Sequence, residues 1–305
     1  MTSSKSSRAS AMTATALAFA AAGLTTLCPG AAHAQVQPPT PYELASQLDF
    51  ECRPAQGVAP APQVFIRQLN PVLQNRLPNQ MANLGALEQV CVPVAKNGQI
   101  PGPRALPIVE MSDLACYRAA AAPVDVDVTL SHLNPVLAGL PEEDVHLVSL
   151  QQVCVPVSKN DSQLPPAIKQ IVSHLDFACY ELAEATPSAD RTLVLSHLNP
   201  VIAAMQLPNR VVEMKRAKQL CVPVAKNNEQ VPPGVRDIVQ WIDFLKYRID
   251  VVGGAVPPLP LWLTHLNPLF AGLDRFFVVL TNQDLRLMVP VAKDGQIPPG
   301  NPAAR

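Results

Sequence analysis

Val153-Cys154-Val155-Pro156-Val157-Ser158-Lys159 is one of four versions of a single short stretch. The others are Val90-Cys91-Val92-Pro93-Val94-Ala95-Lys96, Leu220-Cys221-Val222-Pro223-Val224-Ala225-Lys226 and Leu287-Met288-Val289-Pro290-Val291-Ala292-Lys293. The stretches begin at positions 90, 153, 220 and 287, so the chain is a tandem array with one supersecondary unit per copy. Within the stretch Val153, Val155 and Val157 alternate with Cys154, Pro156 and Ser158, a period of two that puts the valines on one face of a strand. A proline recurs in all four copies. It has no N–H to give to a ladder, so the strand is expected to lie at a sheet edge or to end its pairing there.

Working outward, each copy repeats two further landmarks. One is Leu48-Asp49-Phe50-Glu51-Cys52, answered by Asp113 to Tyr117, Leu175 to Tyr180 and Ile242 to Tyr247. The other is Leu69-Asn70-Pro71, answered by His132-Leu133-Asn134-Pro135, His197-Leu198-Asn199-Pro200 and His265-Leu266-Asn267-Pro268. Val126–Leu130, Arg191–Leu195 and Phe276–Leu280 read as additional strands. Residues 166–175, and Val235, Ile238, Val239 and Ile242, space their apolar side chains at three and four and predict short helical turns before the cysteine strand. The expected fold is all-β: four small tandem modules of about 65 residues, three of them stapled by disulfides, with short helical turns between copies. The expected boundaries are a signal peptide at 1–34, a disordered lead-in at 35–41, repeats at 42–104, 105–166, 167–233 and 234–300, and a tail at 301–305.

Composition narrows the function classes. Charged residues make up 15% of the 305 and the net charge is −1, which leaves no electrostatic footprint for nucleic acid. The 33 prolines argue against long helices. Lys5 and Arg8, the apolar run from Ala11 to Leu27 and Ala32-His33-Ala34 together read as a cleavable export signal. No other run approaches spanning length, so no membrane span is expected after cleavage, and the protein is expected to be secreted or periplasmic. Removing the leader also removes Cys28 and leaves Cys52, Cys91, Cys116, Cys154, Cys179 and Cys221. An even number in an exported chain reads as disulfides, and the absence of any Cys-x-x-Cys pair argues against a metal site.

The order of motifs resembles a tandem-repeat domain family of unknown function found in exported bacterial proteins. The resemblance rests on Cys116-Tyr117, Val128-Thr129-Leu130, Val153 to Lys159 and Cys179-Tyr180, with equivalents in the other copies. It spans nearly all of residues 42–299. The sequence departs from that pattern at Ser131 to Pro135 and in the fourth copy, which lacks its cysteines. The resemblance implies architecture and location and no activity.

Two regular cystine pairings compete. Within copies the bonds would be Cys52–Cys91, Cys116–Cys154 and Cys179–Cys221; across copies they would include Cys91–Cys116 and Cys154–Cys179. The fourth copy has Lys246 and Met288 where the third has Cys179 and Cys221. Joint loss is what within-copy pairing predicts, because neither partner is useful alone. Cα separations near 5.5 Å would be ordinary for such bonds.

No catalytic signature stands out: there is no Gly-x-Ser-x-Gly and no His-Glu-x-x-His. His132, His197 and His265 recur too far apart to chelate, and Gln68 takes their place in the first copy, so they read as local turn residues and not as metal ligands. Asp49, Asp113, Asp176 and Asp243 recur with Lys96, Lys159, Lys226 and Lys293, and read as surface ion pairs or strand-end caps. Each Asn-Pro reads as a turn. Trp241, Trp262, Phe244, Tyr247, Phe270, Phe276 and Phe277 gather in the fourth copy and are expected to be core that compensates for the missing cystine, an exposed aromatic binding surface being the alternative. The expected function is a non-enzymatic exported scaffold, structural or multivalent, without cofactor or metal, meeting a protein or carbohydrate ligand at the cell exterior. The alternative is a secreted hydrolase-like enzyme with a site built between repeats.

Overall fold

The computed structural model describes residues 37–302. The leader read at 1–34 lies outside them, as do the first two residues of the lead-in and the last three of the tail. With the expected repeats kept as labels for stretches of sequence, repeat 1 and the residue before it hold α1 (Pro41–Ala45), β1 (Phe50–Gly57), β2 (Gln63–Gln68) and β3 (Gln80–Lys96). Repeat 2 supplies α2 (Leu106–Val109), β4 (Asp113–Ala120), β5 (Val126–His132) and β6 (Glu143–Lys159). Repeat 3 supplies α3 (Pro166–Val172), β7 (Phe177–Leu182), β8 (Arg191–His197), α4 (Pro200–Ala203) and β9 (Arg210–Lys226). Repeat 4 supplies α5 (Pro233–Val239), β10 (Phe244–Gly253), β11 (Leu259–His265), β12 (Phe276–Leu280) and β13 (Arg286–Lys293). The strands expected at Val126, Arg191 and Phe276 form there, as do the helical turns at 166 and 235. Within the expected lead-in, Pro41 opens α1, and Thr40 and Glu43 close a capping box around it.

Among the described residues all thirteen strands belong to one sheet, and every pairing is antiparallel. The cysteine strand and the long strand of each repeat alternate around a closed ring, β1-β3-β4-β6-β7-β9-β10-β13 and back to β1. An eight-stranded barrel is just wide enough for its own side chains to fill. Phe244 of β10 reaches Phe50 of β1 and Phe177 of β7, each two strands away, with ring centroids 5.4 and 5.1 Å apart. Only inward-pointing side chains can meet across an intervening strand, so this alternate set faces the lumen. It packs with the buried apolar residues of α1, α2, α3 and α5, such as Leu44, Ile108, Val172 and Val239, at one end of the barrel.

The three cystines form the next layer of the lumen. Cys52–Cys91, Cys116–Cys154 and Cys179–Cys221 are bonded, the within-copy pairing. Each joins residues directly opposite one another on adjacent antiparallel strands. The Cα separations are therefore 3.9 Å, closer than the 5.5 Å expected from disulfides in general. Neighbouring cystines touch, with Sγ atoms of Cys91 and Cys116 at 3.6 Å and of Cys154 and Cys179 at 3.9 Å. Three disulfides fit an oxidising compartment. No helix among the described residues is long and apolar enough to cross a membrane.

The opposite face of the ring carries the alternate apolar residues of the repeated stretch, including Val90, Val153 and Leu220, buried under the second strand of each repeat. Those second strands join repeats that are two apart. β2 pairs with the end of β9, β8 with β3, β5 with β13 and β11 with β6. The recurring proline marks the change of partner. β3 pairs with β1 as far as Pro93 and then with β8 from Val94 to Lys96. Pairing with the ring neighbours does end near the proline, but the strand is central, not an edge. A missing N–H is tolerated because the ladder changes hands at that residue.

Candidate functional site

The recurring polar residues are framework. Lys96, Lys159, Lys226 and Lys293 pair with Asp49, Asp113, Asp176 and Asp243 of their own repeats, and all eight side chains are at most 4% exposed. The pairs expected at the surface are therefore buried. Each aspartate also accepts a hydrogen bond from the Asn-Pro asparagine of the following repeat: Asn134 Nδ2 to Asp49 (2.8 Å), Asn199 to Asp113 (2.7 Å), Asn267 to Asp176 (2.6 Å) and Asn70 to Asp243 (2.7 Å). The last of these joins repeat 1 to repeat 4 and completes the circle. The asparagine oxygens do hold the turns, as in Asn70 Oδ1 accepting from Val72 N, but the amide nitrogens lock adjacent repeats together.

Two of the three histidines, His132 and His265, bond to repeats two apart. His132 Nε2 and Tyr247 Oη share a hydrogen bond of 3.0 Å, and His265 Nε2 and Tyr117 Oη one of 2.9 Å. Gln68, in the histidine position of repeat 1, donates to Tyr180 Oη at 2.8 Å. Burial pushes His132 and His265 down to about 4 and His197, also facing Arg210 and Arg53, to about 3, so all three rings are neutral. These are not turn residues acting locally, and among the described residues no His, Cys, Asp and Glu group could hold a metal ion.

One cavity of about 860 Å³ opens where the barrel ring closes on itself, at the end away from the helices. Its inner wall carries a repeated residue that sequence reading passed over. Gln89, Gln152 and Gln219 stand two positions before the long-strand cysteine of repeats 1 to 3, and Arg286 stands there in repeat 4. The signal was present as Gln-x-Cys in three copies. Being two residues from an inward cysteine on a strand, it must also face inward.

Repeat 4 departs from the pattern at this cavity and nowhere with more effect. Lys246 replaces a half-cystine and Met288 the other. The long strand is broken into β12 and β13 because one residue is inserted: register-equivalent positions run 80 to 89, 143 to 152 and 210 to 219, but 276 to 286. β12 accordingly does not pair with β1. Instead the buried Arg53, standing where the other repeats have tyrosine, donates to the carbonyls of Leu280, Thr281 and Pro257 and to Asn282 Oδ1. The guanidinium satisfies backbone groups that a ladder would otherwise pair.

The fourth-copy aromatics divide. Phe244, Tyr247 and Phe270 are core and Trp241 and Phe276 are half-buried, but Trp262 and Phe277 are 42% and 51% exposed and face each other across β11 and β12 at 5.4 Å. Arg275 lies over the Trp262 ring at 4.7 Å. Phe277 lines the cavity, so the expectation of a wholly buried compensating cluster fails for this pair: they point away from the core on the solvent face of a hairpin whose other face is buried.

Lys246 is the innermost charged group of the cavity, 2% exposed, and its Nζ donates to Gln152 Oε1 at 2.7 Å. Gln152 Nε2 donates in turn to Glu88 Oε2 (2.7 Å), and Glu88 Oε1 accepts from Arg118 Nε (2.7 Å). This chain crosses repeats 4, 2 and 1. Gln89 Oε1, also on the wall, is buried without a hydrogen-bond partner. Burial, assisted by Arg286 and opposed by Glu88, lowers the Lys246 amine from 10.5 to about 7. Between those two values the unfolded chain holds a proton that the folded chain does not, so stability rises with pH across that window; below pH 7 the folded protein carries a buried charge. Lys246→Met is expected to raise stability by about 2 kcal/mol at pH 6, after allowing for the hydrogen bond Gln152 loses, and the gain should vanish near pH 10. Urea denaturation at the two pH values measures this; a destabilised variant at pH 6 would contradict it.

Compared with protein families, with curated proteins and with solved structures, the chain matches none.

Proposed function

We propose that this chain is an exported, non-enzymatic binding protein with one site, the mouth of the barrel, for a neutral polyhydroxylated ligand of the saccharide class. The observation that carries the reading is convergence. Four departures of repeat 4 (Lys246, Arg286, the broken long strand and the exposed Phe277) border one cavity, while the Asp, Lys and Asn residues shared by the four repeats are buried framework. Four equivalent sites would have produced the reverse, so the support is for a single site and not for multivalency.

The lining favours a neutral, hydrogen-bonding ligand. Three carboxylates, Glu88, Glu181 and Asp284, meet two cations, Lys218 and Arg286, and the partly neutral Lys246 amine, so the wall carries little net charge. Arg286 is already engaged by both oxygens of Asp284, at 2.6 and 2.9 Å. Glutamine side chains supply paired donors and acceptors, and Phe277 beside Trp262 supplies an apolar face, the combination that suits a sugar ring with its polar rim and apolar faces. The four-repeat organisation and export by the leader at 1–34 belong to the same proposal. The test is titration of the protein lacking residues 1–34 with a panel of oligosaccharides. Binding should weaken at least tenfold, about 1.4 kcal/mol, in both Phe277→Ala and Gln89→Ala. Saccharide binding that neither substitution changes would reject the site.

A further inference from the structure

Among the described residues five lysines are buried in the core, and four of them face an aspartate. Lys246 alone among these five faces a neutral amide, that of Gln152, and alone opens on the cavity. It stands where the other repeats place a half-cystine, in a layer otherwise filled with sulfur. The amine is held in place from the far wall, since the amide that accepts from it is itself tethered to Glu88. An amine that is fixed, poorly hydrated and without a carboxylate partner is the arrangement that favours nucleophilic attack over ion pairing.

We propose that Lys246 captures the aldehyde group of a small hydroxyaldehyde, or of the open-chain form of a reducing sugar, as an imine. This rests on the cavity being the ligand site and adds a covalent bond to it. The nitrogen lone pair attacks the carbonyl carbon, a C–N bond forms, and the carbonyl π electrons move to oxygen. A proton passes from nitrogen to that oxygen through solvent and gives a carbinolamine. Nitrogen then forms the C=N bond as hydroxide leaves, and the second amine proton departs with it as water. No oxidant or reductant is consumed, and hydrolysis reverses the capture. Until that last proton leaves, Gln152 Oε1, which accepts from the amine now, accepts from the N–H of the protonated imine. The lowering of the amine to about 7 keeps a large share of it neutral at neutral pH, whereas an exposed lysine is almost wholly charged there.

The test uses the full chain with glycolaldehyde as probe and cyanoborohydride to fix the imine, followed by peptide mapping. At pH 7 the peptide carrying Lys246 should be labelled at least tenfold faster than that carrying the exposed Lys218, with a rate that climbs through about pH 7. Glu88→Gln removes the nearby negative charge that favours the ammonium and should move the midpoint to lower pH. Labelling of exposed lysines with Lys246 untouched, or no faster than Lys218, overturns the proposal. The wild-type map decides this even if Lys246 variants fold poorly. Tight binding of a non-reducing glycoside together with an unlabelled Lys246 would remove the imine and leave the binding reading standing. Labelling of Lys246 with no saccharide bound would do the opposite.

Discussion

Lys159→Met is expected to destabilise the protein by about 3–5 kcal/mol at pH 8, measured by chemical denaturation. The substitution leaves the Asp113 carboxylate in a site that is 1% exposed, with only the Asn199 amide pointing at it. Burial raises Asp113 above the usual carboxylate range, and Lys159 is the main influence holding it down. Without the lysine, the folded state takes up a proton at a pH where the unfolded aspartate is still ionised. Native protein then binds more protons than unfolded chain, so stability increases as pH falls, and the cost of Lys159→Met should shrink at pH 5. The double variant Asp113→Leu with Lys159→Met should recover most of the loss, because the expense lies in the unpaired charge and not in the absence of the pair. A cost below 1 kcal/mol for the single variant would show that the pair is not buried as described.

The second large effect concerns the cystines. Replacing Cys116 and Cys154 together by alanine is expected to cost about 4 kcal/mol, the chain-entropy value for a loop of this size; their sequence separation is 38. Because all four repeats share one closed ring, unfolding should remain a single transition, with the melting temperature of the whole barrel lowered. Independent modules would instead give one weakened transition and three unchanged. Both cysteines of a pair must be removed at once. If Cys52 alone is replaced, the Cys91 thiol is left 3.6 Å from Cys116 Sγ and is placed to exchange with it. Calorimetry of the double variant that resolved a separate low-temperature transition would contradict the shared ring.

What the sequence determined by itself was local or periodic. Alternation in Val153 to Lys159 specified a strand and which residues share a face, and three-and-four spacing placed the short helices at 166 and 235. The joint loss at Lys246 and Met288 was enough to choose the cystine pairing, because the fourth copy serves as an internal variant of the other three. What only the tertiary structure decided was everything that joins residues of different repeats. Asn70 reaches Asp243 and His132 reaches Tyr247, separations of 173 and 115 residues, and no periodicity within one repeat encodes either contact. The same holds for burial of the Asp–Lys pairs: strand alternation sorts residues between two faces, but both faces of this sheet are covered, one by the closed lumen and the other by β2, β5, β8 and β11. The site was hidden for the related reason that it belongs to no single repeat. Lys246 was legible as a missing cysteine, Gln89, Gln152 and Gln219 as an unremarked Gln-x-Cys, and the extra residue before Arg286 as a length difference. Only closure of the ring sets them around one cavity.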